Sequence, residues 1–298
     1  ENIVPRVVAM LEELLHRGNQ AHQVITPETS VSTKCFDELR KRSALFSSPL
    51  AIGHNVSSTS LVDRSGGFGN HHEMVFEGQI FTQSTTRSIG RAAFNKVHPP
   101  QHPLKKMLRT IDGYYAFAVF WSGQLMLGRD PLGVMPLYYG ENEALCAIAS
   151  ERKALWKIEL VDVHSFPPGN LASVNRQGFS FNAASTIRQP PQRGMKMREA
   201  ASRLQKLLEK STRERVAGAE DVGVAFSGGL DSTVIARLAQ KCEVAVTLVT
   251  VGLKGQSELA HAEESAKALG LPIMIQAFTI ADVEEVLPKV LWLKNPTS

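Results

Sequence analysis

The chain has 298 residues, of which 43% are hydrophobic and 21% charged, with a formal net charge of +4 at pH 7. This composition is ordinary for a soluble globular enzyme with one large or two medium domains. No apolar run approaches the ~20 residues that span a membrane, and the basic residues are scattered, so neither a membrane nor a nucleic-acid partner is expected. Three scattered cysteines, Cys35, Cys146 and Cys242, favour a reduced, cytoplasmic environment.

The first part of the chain predicts one amphipathic helix followed by strands. Residues 4–15 carry Val and Leu at the three-four spacing of a helix. From about residue 48 to 180, short apolar runs such as EMVFEGQIF and YYAFAVFW alternate with Gly, Pro, Asn and Asp. That pattern is typical of an antiparallel, sheet-rich domain. The segment STIRQPPQRG, residues 185–194, then predicts a linker.

After the linker, helical and strand patterns alternate. A charged helix, MREAASRLQKLLEKSTRERV, precedes the apolar runs DVGVAF, VAVTLVTVGL and PIMIQAFT, and the helix SELAHAEESAKALG ends on Gly270. Strands that are apolar throughout, separated by helices, indicate a doubly wound parallel sheet. We therefore predict an α+β domain over residues 1–184, a linker over 185–194, and an α/β domain over 195–298.

One turn in the second domain suggests a binding site for phosphate. The first predicted strand ends at Phe226, and a helix leaves from about Asp231. The free N–H groups and the dipole of a helix N-terminus attract an anion. The turn adds two glycines and two hydroxyls, at Ser227, Gly228, Gly229 and Ser232. Asp231 beside phosphates suggests a ligand for Mg²⁺. The alternative is an ordinary glycine turn in which Ser227 or Asp231 only caps the helix.

The motif SGGLDS resembles the PP-loop of ATP pyrophosphatases, and VTVGLKGQSELAHAEESAKALGLP is similar to the second strand and helix of asparagine synthetases. The resemblance implies ATP and Mg²⁺ as cofactors. It places Ala225, Val251 and Gly252 at the adenine, and gives catalytic roles to Ser227 and Asp231, with Asp231 as metal ligand. It implies a site for pyrophosphate and Mg²⁺ formed by Ser227, Gly228, Gly229, Asp231 and Ser232. From its residue type alone, Val251 is expected to be a core valine.

The first domain resembles the class II glutamine amidotransferase domain of the same synthetases. The similar segments are LLHRGNQ, DGYYAFAVFWSGQLMLGRDPLGVMPLYYG, ASERKALWKI and HSFPPGN, in the same order as in the family. The resemblance implies an Ntn-hydrolase-like fold in which antiparallel sheets are layered with helices. These segments indicate the family, but their residue types do not by themselves suggest a catalytic role.

The chain departs from this family at the residues that hydrolyse glutamine. An active domain uses an N-terminal Cys, and here the sequence begins with Glu1. Glu77 and Gly78 stand where the family has Asn-Gly, and a glutamate would oppose the oxyanion that the Asn stabilises. The arginine that binds the glutamine carboxylate would fall near Val56. Either the segment with the Cys is missing from this sequence, or the domain is a remnant that has lost glutaminase activity.

The resemblance implies an amide-forming ligase of the asparagine synthetase type. Such an enzyme adenylates a carboxylate, aspartate or similar, and transfers ammonia, from solution or from glutamine, with release of AMP and pyrophosphate. Two alternatives remain: a PP-loop enzyme that modifies a nucleobase or tRNA, and a non-catalytic nucleotide-binding paralogue. The oligomeric state is left open, a homodimer included.

Overall fold

The computed structural model describes residues 1–57, 74–81, 101–121, 124–175, 177–189 and 194–294. Within these ranges the chain divides into two compact units, unit 1 up to Gln189 and unit 2 after it. None of the helices described is both long enough and apolar enough to cross a bilayer.

Unit 1 contains strands, short helices and a 3₁₀ turn at Leu15–Arg17. Its strands are β1 (Ala21–Ile25), β2 (Ser30–Thr33), β3 (Ile52–Val56), β4 (Met74–Phe81), β5 (Asp112–Trp121), β6 (Gln124–Arg129), β7 (Tyr138–Glu141), β8 (Cys146–Ala149), β9 (His164–Ser165), β10 (Asn170–Asn175) and β11 (Gly178–Ala183). Its helices are α1 (Val4–Glu13), α2 (Phe36–Ser43), α3 (Gln101–Thr110) and α4 (Arg152–Trp156).

All the strand pairs described in unit 1 are antiparallel. They form a five-stranded sheet in the order β11-β10-β6-β5-β4 and two three-stranded sheets, β2-β1-β3 and β8-β7-β9. β5 lies inside the largest sheet and is covered on both faces. Ala116, Ala118 and Phe120 pack towards the smaller sheets, while Tyr115 and Phe117 pack against α3. This alternation is the two-residue period of a strand.

The layers of unit 1 follow from these contacts. α3 covers one face of the large sheet through Leu104 and Leu108. The two smaller sheets lie on its other face and are covered in turn by α1, α2 and α4. Unit 1 is thus an α+β fold of antiparallel sheets between helices. The expected sheet-rich segment over residues 48–180 also contains the helices α3 and α4, and in α3 the apolar residues Leu104 and Leu108, four apart, form the helix face that packs on the sheet.

Unit 2 alternates helices and strands. Its helices are α5 (Met197–Val216), α6 (Leu230–Gln240), α7 (Ser257–Leu269) and α8 (Ile280–Lys294), and its strands are β12 (Asp221–Ala225), β13 (Ala245–Leu253) and β14 (Ile273–Phe278). The strands are parallel in the order β12-β13-β14. α7 ends at Gly270, which has φ +67°, as the predicted stop requires.

The two crossover helices lie on the same face of the parallel sheet. Ala236 and Ala239 of α6 and Ala262 and Ala266 of α7 share one core cluster. That cluster contains Val246 and Leu248 of β13, which point to one side of the sheet. Val249 and Val251, on the other side, are 40% and 65% exposed. A doubly wound sheet, with helices on both faces, therefore stays a prediction.

Candidate functional site

The predicted strand–turn–helix is present in unit 2. β12 ends at Ala225, and residues 226–229, here called the β12–α6 loop, lead into α6 at Leu230. The first backbone bond of the helix runs from Thr233 N to Gly229 O, at 3.0 Å. The N–H groups of residues 230–232 therefore precede the first intrahelical bond and are oriented to bind an anion. The loop lies at the carboxyl end of a parallel strand, where ligands bind in open α/β sheets.

Gly228 has to be a glycine for two reasons. Its φ of +75° lies in the left-handed region, which disfavours side chains. A Cβ at this position would lie 3.0 Å from Ala262 Cα and 3.0 Å from His261 Cδ2. Gly228 thus lets the loop touch the backbone of α7, and the SGG motif is explained by local geometry as well as by any ligand.

The serine hydroxyls of the loop bond to each other and to the backbone. Ser232 Oγ lies 3.2 Å from Ser227 Oγ and accepts from Ser227 N at 3.3 Å. It also donates to Gly229 O at 3.1 Å. The two bonds with hydroxyl donors are longer than their usual 2.7–2.8 Å, and the bond from Ser227 N is longer than the usual 2.9–3.0 Å of N–H donors. Because Ser227 and Gly229 are exposed, an anion can replace these weak contacts with little loss.

Asp231 occupies the first turn of α6 with an exposed side chain. Its carboxylate has no hydrogen bond or ion pair with any residue that the structure describes. Over the same residues, no three His, Cys, Asp or Glu side chains cluster as a metal cage. Mg²⁺ commonly binds through one or two carboxylates together with substrate phosphates and water. A single unpaired carboxylate beside an anion loop fits that chemistry.

The residues assigned to adenine lie at the same sheet edge as the loop. Ala225 pairs with Val249, and β13 continues beyond that pair to Val251 and Gly252. Val251 is 65% exposed, so the expectation of a core valine is wrong. A Cβ on Gly252 would lie 2.8 Å from Leu259 Cδ2, so this glycine gives α7 room to pack.

Unit 1 brings three of the family-like segments together in one charged cluster. Arg17 Nη2 lies 2.6 Å from Glu77 Oε1, and Arg17 Nη1 lies 3.2 Å from Glu151 Oε1. Ser150 Oγ donates to Glu77 Oε2 at 3.2 Å. We call His16, Arg17, Glu77, Ser150, Glu151 and Lys153 the Arg17 cluster. Its members come from HRG, EGQ and ASERK, which lie far apart in the sequence.

Glu151 is the most buried carboxylate of this cluster, with its side chain 7% exposed. Lys153 Nζ lies 2.8 Å from Glu151 Oε2, and His16 Nε2 lies 2.8 Å from Glu151 Oε1. Burial raises the pKa of Glu151, but hydrogen bonds from Lys153, His16 and Arg17 outweigh it, and the pKa is lowered overall. Burial lowers the pKa of Arg17, and the two glutamates raise it above its ordinary value.

Gly78 follows Glu77 on β4 with φ +123°, and a Cβ there would collide with the backbone of Tyr114. Glu77 itself pairs with Ala116 on β5. β4 thus positions Glu77 at the Arg17 cluster. The backbone at the next residue, Gly78, has a conformation that only glycine allows. Glu77 accepts hydrogen bonds from Arg17 and Ser150, whereas the family's Asn at this position donates one to the oxyanion.

A cavity of about 810 Å³ in unit 1 borders the Arg17 cluster and is lined by Arg17, His54, Glu77, Cys146 and Ser150 among others. Burial lowers the pKa of His54, partly offset by Glu77, so the imidazole is neutral at pH 7. Burial, with a contribution from Glu141, raises the pKa of Cys146 to about 11. The Cys146 thiol is therefore protonated at neutral pH and is no activated nucleophile.

The RDPLG segment plays a structural part. The Arg129 guanidinium donates to the carbonyls of Met135, Gly133 and Phe166 at 2.6–2.8 Å. The fully buried Asp130 carboxylate accepts from backbone N–H groups of the following loop, those of Leu132, Val134 and Met135. Both side chains are therefore engaged in structural hydrogen bonds. This agrees with the interpretation that the segment indicates the family and has no catalytic role.

Both units contain segments that match models of known protein families. The family model described as asparagine synthase matches residues 203–297, and that described as glutamine amidotransferase domain matches residues 70–157. A relative from Methanocaldococcus jannaschii with a provisional asparagine synthetase (glutamine-hydrolysing) name is 28% identical over 95% of this chain. Both units of the chain are therefore similar to asparagine synthetases.

Other relatives of this asparagine synthetase-like chain point the same way. Asparagine synthetase (glutamine-hydrolysing) 2 of Arabidopsis thaliana is 27% identical over 80% of the chain. Asparagine synthetase B (glutamine-hydrolysing) of Escherichia coli is 26% identical over 63%. The chain spans 57% of the M. jannaschii relative, 42% of the plant enzyme and 36% of the E. coli enzyme.

Solved structures support the amidotransferase-type fold of the asparagine synthetase-like chain. Glutamine phosphoribosylpyrophosphate amidotransferase from B. subtilis has a TM-score of 0.51 at 18% identity, covering 92% of this chain and 63% of its own. An allosteric regulatory enzyme of purine biosynthesis has a TM-score of 0.52 at 13% identity, covering 92% and 78%. At these identities the likeness shows the fold alone, that of Ntn-type amidotransferases with antiparallel sheets.

Sequence reasoning missed the Arg17 cluster. Arg17, Glu151 and Lys153 lie inside segments that indicated the family, and they were given no role. A weak signal was present, because charged residues stand beside apolar ones in these segments, as in LLHRG and SERKALW, and charges near a core are usually paired. Arg17, however, contacts Glu77 and Glu151 across 60 and 134 positions of sequence, and a single sequence does not specify such contacts.

Proposed function

We propose that the chain carries the ATP-binding part of an amide-forming ligase of the asparagine synthetase type. The observation that carries the proposal is the β12–α6 loop. It presents the helix N–H groups that precede the first intrahelical bond and the hydroxyls of Ser227 and Ser232 at the carboxyl end of a parallel strand, beside Asp231, whose carboxylate is unpaired among the described residues. The match to the asparagine synthase family over residues 203–297 supports the same assignment.

In this proposal the loop binds the phosphates of ATP. The N–H groups of residues 230–232 and the hydroxyls of Ser227 and Ser232 donate to phosphate oxygens. Asp231 holds Mg²⁺, which when bound neutralises phosphate charge and so favours attack at the α-phosphorus. Ala225, Val251 and Gly252, at the adjacent strand ends, border the adenine. Gly228 and Gly229 keep side chains out of the space that the phosphates need.

The reaction proposed is adenylation followed by amide formation. A carboxylate oxygen of the substrate, aspartate or a similar acid, attacks the α-phosphorus, and pyrophosphate leaves with its electron pair. Ammonia then attacks the acyl carbon, AMP leaves, and the amide results. The helix N–H groups stabilise the charge that moves onto the departing pyrophosphate, which is an effect of a preorganised site.

We propose ammonia as the preferred nitrogen donor, ahead of glutamine. A glutaminase site needs a neutral or cationic donor for the oxyanion. The position that would supply one carries Glu77, whose carboxylate is bonded to Arg17 and Ser150. A rate with ammonium at least tenfold above that with glutamine is expected, and equal rates would contradict this part of the proposal.

The test is ATP–pyrophosphate exchange by the full chain with a panel of carboxylates that includes aspartate, alongside calorimetry with ATP and Mg²⁺. Exchange that depends on one carboxylate supports the ligase. ATP binding without exchange would instead identify a non-catalytic nucleotide-binding protein. A chain that binds no ATP would contradict the proposal altogether.

A further inference from the structure

The end of β12 is held by a side chain from the neighbouring strand. Backbone pairing between β12 and β13 runs from Asp221 to Ala225, and Phe226 N adds one more bond, to Val249 O at 2.8 Å. Beyond this point, the carbonyl oxygen of Phe226 accepts a hydrogen bond from the hydroxyl of Thr250. Phe226 is 4% exposed and Thr250 is 5% exposed, so this bond is shielded from water.

This bond orients the first peptide of the β12–α6 loop. The peptide unit between Phe226 and Ser227 is planar, so fixing its carbonyl also fixes the direction of the Ser227 N–H. That N–H points to Ser232 Oγ, at 3.3 Å. A hydroxyl on β13 therefore controls, through one rigid peptide, how the loop presents Ser227 and Ser232.

The other side-chain contacts to the loop backbone are weaker. Thr233 Oγ1 and Ser265 Oγ each lie 3.4 Å from Gly228 O, well beyond the usual hydroxyl–oxygen distance. Thr233 and Ser265 are only partly buried, and water competes for them. Among the described side-chain contacts to the loop backbone, the bond from Thr250 is the one whose side chain is buried, at 5% exposed.

We propose that Thr250 is a positioning residue for phosphate binding, acting through the Phe226–Ser227 peptide. This inference rests on the proposed function, that the loop binds the phosphates of ATP. Without the hydroxyl, the Phe226 carbonyl is buried with a lost partner and the peptide rotates to find another. Ser227 and the start of α6 then match the phosphates less well, and the nucleotide binds more weakly.

The experiment compares three variants of the full chain, Thr250→Val, Thr250→Ser and Thr247→Val. Thr250→Val keeps the shape and removes the hydroxyl. Thr250→Ser keeps the hydroxyl and removes the methyl group. Thr247 lies on the same strand and is partly exposed on its open face, so Thr247→Val is the matched control. Calorimetry with ATP and Mg²⁺ gives Kd, and carboxylate-dependent exchange separates KM for ATP from kcat.

We expect Thr250→Val to raise Kd and KM for ATP about five- to tenfold, the effect of one lost hydrogen bond, with kcat changed less than twofold. Thr250→Ser should restore binding to within about twofold, and Thr247→Val should match the wild type. Wild-type affinity in Thr250→Val would overturn the inference. So would a defect in Thr250→Ser as large as in Thr250→Val, since it would assign the effect to packing.

Two further outcomes are separable from these. If the wild type binds no ATP, the proposed function itself is wrong, and Thr250 has no phosphate to position. If Thr250→Val does not fold, Thr250→Cys replaces it, because a thiol is a weaker donor of nearly the same shape. The Cys variant should then bind ATP more weakly than the Ser variant does. Wild-type affinity in the Cys variant would again overturn the inference.

Discussion

The β12–α6 loop and the Arg17 cluster both lie in segments that resemble asparagine synthetases, yet their polar groups are in opposite states. In the loop, Asp231 is exposed and unpaired by the described residues, and Ser227 makes only long contacts. In the cluster, each carboxylate is bonded to at least one cation, and Glu151 is bonded to Arg17, Lys153 and the His16 ring.

The difference teaches how a ligand site is told apart from a structural one. A binding site keeps its donors and charges unsatisfied or only weakly bonded until the ligand arrives, because binding then replaces water and weak protein contacts at little loss. A buried cluster with all its charges paired gains nothing from a ligand. By this criterion the loop is prepared for a ligand, and the Arg17 cluster is a structural ion-pair network.

The largest expected effect is on stability, from the variant Glu151→Gln. It leaves the buried Lys153 without its counter-charge and Arg17 with Glu77 alone, and breaking such a buried pair costs about 3–5 kcal/mol. The measurement is urea denaturation, from which the free energy of unfolding is obtained. The control is Glu263→Gln, which removes an exposed pair to Lys267 and should cost no more than about 0.5 kcal/mol. Similar losses in the two variants would show that burial does not set the strength of the cluster.

The same glutamate predicts a pH dependence. The pKa of Glu151 is lower in the folded chain than its ordinary value, so the folded state binds its proton less readily than the unfolded state. The stabilisation is therefore complete above about pH 4.3, the ordinary pKa of glutamate, and is lost as the pH falls through the depressed value. Unfolding curves from pH 6 to 3 should show a shallower loss of stability in Glu151→Gln than in the wild type. An unchanged slope would contradict this assignment.

The next largest effect is on catalysis, from Asp231→Asn. The variant keeps the shape and removes the charge that holds Mg²⁺, so ATP–pyrophosphate exchange should fall about a hundredfold. Asp221→Asn is the control, because Asp221 lies at the opposite end of β12 and is also exposed. Equal exchange rates in the two variants would remove Asp231 from the metal site.

A smaller effect is expected from the shape of the loop, in Gly228→Ala. Both Gly228 and Gly255 have positive φ, of +75° and +85°, but only Gly228 faces a neighbour, the backbone of Ala262. We expect Gly255→Ala to cost about 1 kcal/mol from strain, and Gly228→Ala about 2 kcal/mol together with weaker ATP binding. If both variants lose the same stability and bind ATP as the wild type does, the close approach to α7 is unimportant.

The sequence was informative where structure is local. The strand–turn–helix at Phe226, the parallel strands of unit 2 and the stop of α7 at Gly270 follow from apolar periodicity and glycine placement. α3 was missed although Leu104 and Leu108 have helical spacing, because strand patterns on both sides dominated the interpretation. The exposure of Val251 was also missed, since a valine in an apolar run gives no sign that one face of its sheet is open.

The charges of unit 1 show where such reasoning ends. Glu77 was predicted to oppose an oxyanion, which depends on its residue type alone. Its partner Arg17 was not predicted, because that contact joins a 3₁₀ turn to β4 across 60 positions. Long-range pairing depends on how the layers of unit 1 pack, and no short stretch of sequence contains that information.

The smallest expected effect, in Glu77→Gln, sharpens the comparison of the two regions most directly. Glu77 is 31% exposed and shares Arg17 with Glu151, so its loss should cost about 1 kcal/mol of stability. Both oxygens of its carboxylate already accept hydrogen bonds, from Arg17 and Ser150, so we expect it to make no contact with the substrate. Ammonia-dependent amide formation should therefore stay within about twofold of the wild type, against the hundredfold loss in Asp231→Asn. A tenfold loss of the amide-forming rate in Glu77→Gln, with the fold intact, would mean that the Arg17 cluster takes part in the reaction. A carboxylate whose hydrogen bonds are all made within the protein would then be no sign of a structural role.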